Sequence, residues 1–221
     1  FDDMVLLASD AVIDGRYRSP FKVVLVDEFQ DISQARARLV KALADQRDDV
    51  MLMGVGDVRQ SIYRFAGSDV SVFRHFDTVF GPAAQLKLTK TFRFNQGIAD
   101  VSSAFVGEND AEVVSDLGET DNVVRVRLYT NRQARAESTA GVLKEIAEEV
   151  QREGKRSATV VVLYRVNAIG KNLGALPDFG VLRIEKMSIH RAKGLEADYV
   201  VLAGVIGGGS GAFPSRIADD Q

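Results

Sequence analysis

The chain has 221 residues, 46% of them apolar, and a formal charge of −3, enough apolar content for real cores but no global cationic field, so any polyanion site must be local. Cysteine is absent, which excludes disulfides and thiolate metal sites, and no run of about 18 apolar residues marks a membrane span. The sequence starts at Phe1 without an initiator Met or a signal-peptide pattern and reads as an excised piece of a longer protein. In chain order, Phe1, Met4, Val5, Ala8, Ala11 and Val12 recur at helical spacing, and Gly15 follows as a stop signal. Residues 22–26 (KVVLV) predict a short, fully buried parallel strand, Ser33 caps a helix over 34–45, and MLMGV at 51–55 is the next buried strand. QLKL at 85–88 predicts a weak strand and residues 95–106 a helix, while 107–122 form an acidic connection. VVRVRLY at 123–129 alternates as a strand does, residues 132–153 form a long charged amphipathic helix, and TVVVLY at 159–164 is another buried strand. A helix over 167–175 and a strand at 199–205 (YVVLAGV) complete the pattern, with the connection from Arg165 to Ser188 read as a helix and a turn. Strands alternating with helices give an α/β class with mainly parallel sheets.

In open parallel sheets, ligands bind beyond the carboxyl ends of the strands. VVLVDEFQDISQ, residues 23–34, puts Asp27, Glu28, Gln30 and Asp31 at such an end. One carboxylate there can hold Mg²⁺ while its neighbour orients or deprotonates a water, the arrangement that nucleotide hydrolysis needs. The bland alternative is a polar loop that caps the next helix. Thirty residues after Asp27 a second apolar run leads into GVGDVRQSIYRFAGSD, residues 54–69, bringing Asp57, Arg59, Gln60, Tyr63 and Phe65 to the same edge. An amide such as Gln60 can sense a γ-phosphate, and flat rings can stack on unpaired bases; taken alone, Tyr63 and Phe65 read first as a core stripe, since aromatic side chains are more often core than base platforms.

With LTKTFRFNQGIADV (88–101) and KMSIHRAKGLEADYVVL (186–202) added, four motifs in order resemble the UvrD/Rep-type superfamily-one helicases over nearly the whole chain. DEFQD is similar to motif II, GDVRQSIYRFAG to motif III, TFRFN to motif IV and SIHRAKGLEAD to motif V. The resemblance implies two RecA-like domains of the P-loop NTPase type: the first incomplete over 1–88, the second over 89–221 without the large accessory insertion of bigger relatives. It implies ATP and Mg²⁺ as cofactors, single-stranded DNA and duplex junctions as partners, movement 3′ to 5′, and a cytoplasmic, nucleoid-associated setting with a place in DNA repair. Residue by residue, it implies that Asp27 binds Mg²⁺, Glu28 is the general base, Gln60 couples the γ-phosphate to motion and Arg93 is an arginine finger. Phe92 stands where the family usually has an adenine-stacking Tyr. Gly194 and Glu196 fall in the nucleotide-binding motif, with Glu196 meeting the ribose, Ser188 and His190 contact DNA phosphate, and Tyr63, Arg64 and Phe65 lie along the bases.

Departures from the family pattern are informative. Ala66 stands where many relatives carry a DNA-binding Arg, and Val58 and Arg59 replace residues that are often acidic. Nothing fits G-x-x-x-x-G-K-[ST], the loop whose amides cradle phosphates, and no Thr-Arg-Ala-Arg stretch of motif VI is present. The chain by itself is therefore expected to bind nucleotide very weakly and not to unwind DNA. Two other classes stay open: a non-catalytic DNA- or protein-binding module without the phosphate loop, and a Mg²⁺-dependent nuclease using Asp27, Glu28, Asp31 and Asp57. His75 and His190 have no partner at metal-ligand spacing. Lys186, Arg191 and Lys193 form a small phosphate-binding cluster or a solvated face, the run at 144–156 reads as an outer helix face, and Gly207, Gly209 and Ala212 read as a flexible turn.

Overall fold

A computed structural model of the chain describes residues 2–106, 113–118 and 123–205. The tail motif at Gly207, Gly209 and Ala212, and most of the 107–122 connection, lie outside the described residues. The chain divides into two compact units, Phe1–Val124 and Arg125–Gln221. The sequence-based division between residues 88 and 89 falls inside the first of these.

In the first unit, α1 (Asp2–Ile13) starts with Asp2 and Asp3, whose charges favour a helix N-terminus, and packs on α2 (Gln34–Ala44) with an Arg38–Asp10 ion pair of 2.7 Å. Ser33 caps α2 by accepting from the Arg36 N–H. β1 (Val23–Val26) and β2 (Met51–Gly54) pair in parallel, from Val23 opposite Met51 to Val26 opposite Gly54. The expectation of full burial fails for both strands. Their inner face meets a core of Phe29, Ile32, Ala37 and Val72, whereas Leu25 and Met51 on the other face are 69% and 65% exposed. A continuous apolar run carries no alternation, so it does not reveal that only one face is covered.

The two strand exits are laced by backbone bonds, Val55 N–H to Val26 O and Phe29 N–H to Val55 O, both 2.9 Å. After β2 come two 3-10 turns, Val58–Gln60 and Arg64–Ala66, then α3 (Val70–Arg74) and α4 (Phe76–Phe80). QLKL is not a strand: Leu86 and Leu88 are almost fully exposed, and pairing begins only at β3 (Lys90–Thr91), which runs parallel to β4 (Val114–Ser115). Two leucines separated by a lysine bury too little to hold an isolated strand. Asn95 bonds the Ile98 N–H at the start of α5 (Gln96–Val106).

The second unit is built on α6 (Arg132–Arg152) and a three-stranded parallel sheet in the order β6-β5-β7. Leu143, Ile146, Ala147 and Val150 of α6 pack on Val160 and Val162 of β5 (Ala158–Tyr164), the central strand. α7 (Asn167–Asn172) ends three residues before the predicted helix end, and β7 (Tyr199–Ala203) two before the predicted strand end. β6 (Leu182–Ser188) and the short α8 (Ile189–Ala192) were not expected. The run LRIEKMS does alternate, Leu182 inward and Arg183 outward, as an edge strand should. Conversely VVRVRLY alternates yet forms no strand. Arg125 reaches Glu149 at 2.9 Å and Arg127 pairs with Glu145, both on α6, which leaves Leu128 94% exposed. The charged run at 144–156 thus serves as the outer face of α6 and the turn after it.

Asp198 clamps the start of β7 to β5. Its carboxylate accepts from the Thr159 N–H and hydroxyl, both at 2.7 Å, and its own N–H returns a bond to Thr159 Oγ1 at 3.0 Å. These bonds, the backbone one foremost, hold its carboxyl below the usual carboxylate range. A folded-state pKa below the unfolded value of about 3.9 gives stability that is complete above that value and lost as pH falls through the folded one. Urea unfolding at stepped pH should show Asp198→Asn to be less stable than the parent at pH 7, with the gap closing below about pH 4. A gap that persists unchanged at pH 2 would contradict this role.

Candidate functional site

The backbone turns sharply where β1 ends. Glu28 adopts φ 50° and ψ 43°, among the described residues the one non-glycine position with positive φ, a conformation that costs on the order of 1–2 kcal/mol for a side chain with a Cβ. The Asp27 carboxylate accepts the Glu28 N–H at 2.8 Å, and both acids are exposed at the strand's carboxyl end. The next residue, Phe29, plunges into the core among Phe73, Phe76 and Phe80, with ring centroids 5.3–5.7 Å away. The turn is thus pinned from below while its carboxylates stay in solvent.

Gln30 is 1% exposed and joins the two strand exits. Its Nε2 donates to Glu28 Oε2 at 2.6 Å, its Oε1 accepts the Asp57 N–H at 3.0 Å, and its carbonyl accepts the Ser61 hydroxyl at 3.3 Å. Asp57 in turn accepts from Arg59 N and Nε on one oxygen, both at 3.0 Å, and from Gln60 Nε2 at 3.1 Å and Arg59 Nη2 at 3.3 Å on the other. Burial pushes the Asp57 carboxyl up, but the bonds from Arg59 and Gln60 outweigh it and leave the group below its usual range. Arg59 is therefore the counter-ion of Asp57.

Tyr63 and Phe65 do not form a core stripe. Phe65 is 72% exposed, Tyr63 is half-buried, and their rings stand 6.2 Å apart beside Arg64 and the exposed Ala66. A cavity of about 380 Å³ lies next to Tyr63, lined also by Asp31, Ser33 and Ser68. Further along the unit, Phe92 and Arg93 follow β3 and are exposed; the Lys90 ammonium sits 5.5 Å from the Phe92 ring centre, and Thr91 Oγ1 accepts the Arg93 N–H.

In the second unit, Ser188 ends β6 opposite Tyr164, which in turn lies opposite Ala203, so the carboxyl edge of the sheet carries Tyr164, Ser188 and Ala203. His190 lies in α8, Gly194 takes a left-handed φ of 79°, and Glu196 is exposed. The Lys186 ammonium donates to the Gly174 carbonyl, so the cluster with Arg191 and Lys193 is already partly committed to the backbone.

Among the described residues no group of three or more His, Cys, Asp or Glu could hold a metal ion. The four acids of the nuclease alternative are therefore not assembled, and the Asp57 carboxylate is engaged by Arg59 and Gln60. A divalent ion at Asp27 would complete its shell with water and phosphate oxygens, which is the habit of Mg²⁺. The exposed Asp27 carboxylate fits that demand.

Residues 1–81 match the UvrD/REP helicase N-terminal domain family. The chain is related to the UvrD/REP helicases. DNA helicase IV of Escherichia coli (strain K12) is 33% identical over 203 residues, covering 91% of this chain and 28% of that protein. The ATP-dependent DNA helicase PcrA of Leuconostoc citreum is 27% identical over 182 residues, 78% of this chain and 24% of its own length. The putative ATP-dependent DNA helicase YjcD of Bacillus subtilis (strain 168) is 29% identical over 176 residues, 77% and 23% respectively. The chain thus spans about a quarter of the length of the curated UvrD/REP relatives it matches. The UvrD/REP match implies a RecA-like fold, and the small parallel sheets agree with its α/β class. Among the described residues no helix is long and apolar enough to cross a membrane.

Proposed function

We propose that this chain is part of an ATP-dependent DNA helicase motor, with residues 1–88 from a first RecA-like domain and 89–221 from a second. The observation that carries the reading is the locked pair of strand exits. Asp27 and Glu28 after β1 and Asp57 to Gln60 after β2 are joined through one buried amide at the edge where parallel sheets bind ligands. Kinship with ATP-dependent helicases supports it.

In this reading Asp27 holds Mg²⁺, which when bound neutralises charge on the phosphates of ATP. Glu28 accepts a proton from the attacking water. Gln60, held by Asp57, carries the state of that site into the following turns, where Tyr63, Arg64 and Phe65 lie against bases of single-stranded DNA. Arg93 stabilises developing phosphoryl charge, Phe92 offers a stacking face to adenine, and Gly194 and Glu196 serve the nucleotide. Ser188 and His190 contact DNA phosphate. The phosphate-cradling loop is not within this sequence, so the chain by itself is assigned no turnover.

The test is ATP hydrolysis by the longer protein in which this segment lies, with and without single-stranded DNA, beside a Phe65→Ala variant. DNA-stimulated turnover is expected, with the DNA concentration for half-stimulation raised roughly 5- to 100-fold in the variant, as loss of one stacked base predicts. Absence of any turnover in a folded protein would sink the motor reading and favour a binding module.

A further inference from the structure

We propose that Gln30 is a positioning residue that sets the Glu28 carboxylate and reports its position to the Asp57–Gln60 turn; the proposal rests on the reading of Glu28 as general base given above. Its amide divides its two functions between the two strand exits. The Nε2 donor holds Glu28 Oε2 at 2.6 Å, and the Oε1 acceptor holds the Asp57 N–H at 3.0 Å. A buried amide left without either partner would be costly, so its orientation is fixed from both ends.

The surroundings leave it little room. A Cβ on Gly56 would lie 2.2 Å from Gln30 Oε1 and 3.0 Å from the Phe29 nitrogen, so a glycine there is what lets the amide reach the Asp57 N–H. The Ser61 hydroxyl fastens the Gln30 carbonyl at 3.3 Å, and Phe29 beside it is fully buried. Glu28, by contrast, occupies a strained left-handed turn, where a tether to its side chain selects one of several otherwise similar rotamers. Any change in the Glu28 carboxylate that alters its bond to Nε2 turns the same amide that holds Asp57, and Asp57 accepts from Gln60. Glu28, Gln30, Asp57 and Gln60 thus form one chain of hydrogen bonds from the proposed base to the proposed coupling residue, passing through the backbone N–H of Asp57.

Three variants of the longer protein separate positioning from mere packing. Gln30→Met keeps the shape and loses both bonds, Gln30→Glu keeps the acceptor and loses the donor, and Gly56→Ala leaves Gln30 in place but pushes its amide aside. Two quantities are read: kcat and KM for ATP in DNA-stimulated hydrolysis, and backbone amide exchange across residues 55–60 without nucleotide. Expected is a fall in kcat of roughly 10- to 100-fold in all three, the usual effect of losing a partner that orients a catalytic group, with KM for ATP within about twofold. Amide protection at Asp57 should be lost in Gln30→Met and Gly56→Ala and retained in Gln30→Glu. Wild-type kcat in Gln30→Glu would overturn the positioning role alone, as would a loss confined to thermal stability. A wild-type protein that does not hydrolyse ATP overturns the functional reading, and the positioning role falls with it.

Discussion

Replacing Glu28 by Gln in the longer protein is expected to lower DNA-stimulated ATP hydrolysis by roughly 10²- to 10⁴-fold, the range a positioned general base contributes, while ATP affinity stays near that of the parent. The substitution keeps the side chain's shape, and its carbonyl oxygen can still accept from Gln30 Nε2, so the turn and its strained backbone have no reason to move. What is lost is the ability to take a proton from water. The matching change at Asp27 should behave differently. Asp27→Asn removes the charge proposed to hold Mg²⁺ but keeps an oxygen for the Glu28 N–H, so it should raise the Mg²⁺ concentration for half-maximal turnover, and excess Mg²⁺ should restore part of the rate. Steady-state hydrolysis over a Mg²⁺ series, with nucleotide binding measured in parallel, distinguishes the two. A Glu28→Gln protein that keeps wild-type kcat would show that another group activates the water and would reduce Glu28 to a structural turn residue.

Much of this site was legible in the sequence because its parts are short and their chemistry is local. One apolar run leads straight into the carboxylate pair Asp27 and Glu28 and a second into Gly56, Asp57 and Gln60, and the strand-edge rule says at which edge they lie. Ser33 announced its cap and Gly15 its helix end for the same reason. What sequence could not show were relations between segments. Gln30 is one polar residue among several in DEFQD, and only the fold, which brings the 54–60 turn alongside, makes it the link to Asp57. Arg59 finds its partner only in the fold, where its guanidinium faces Asp57. Strand errors have the same origin. VVRVRLY has the period of a strand, but Arg125 and Arg127 find carboxylates on α6, so ion pairs hold the segment where a ladder was expected. LRIEKMS has the weaker apolar content yet lies beside β5 over seven residue pairs. Periodicity tells which side chains share a face; whether a neighbouring strand exists to satisfy the backbone is a tertiary fact.

Phe29→Ala should be the most destabilising single change in the first unit, at about 3–5 kcal/mol, the usual loss for a large aromatic removed from a core. Phe29 is 0% exposed, and its ring is the common neighbour of Phe73, Phe76 and Phe80, so truncation empties the centre of the cluster that joins the β1 turn to α3 and α4. With total stabilities of about 5–15 kcal/mol typical of such domains, a loss of that size leaves a marginal fold. Phe29→Leu, which refills most of the volume, should cost less than half as much. Urea unfolding followed by far-UV circular dichroism gives both values. Equal effects of Ala and Leu would mean that the aromatic ring packing, rather than the volume, carries the energy. The same residue sits between Glu28 and Gln30, and its N–H is bonded to Val55, so stability and chemistry share one anchor. In the longer protein Phe29→Leu should therefore lower kcat for ATP at temperatures where the fold is still intact. A variant that is destabilised yet turns over at the wild-type rate would show that the strand exits are held by Gln30 and the backbone ladder without help from the core beneath them.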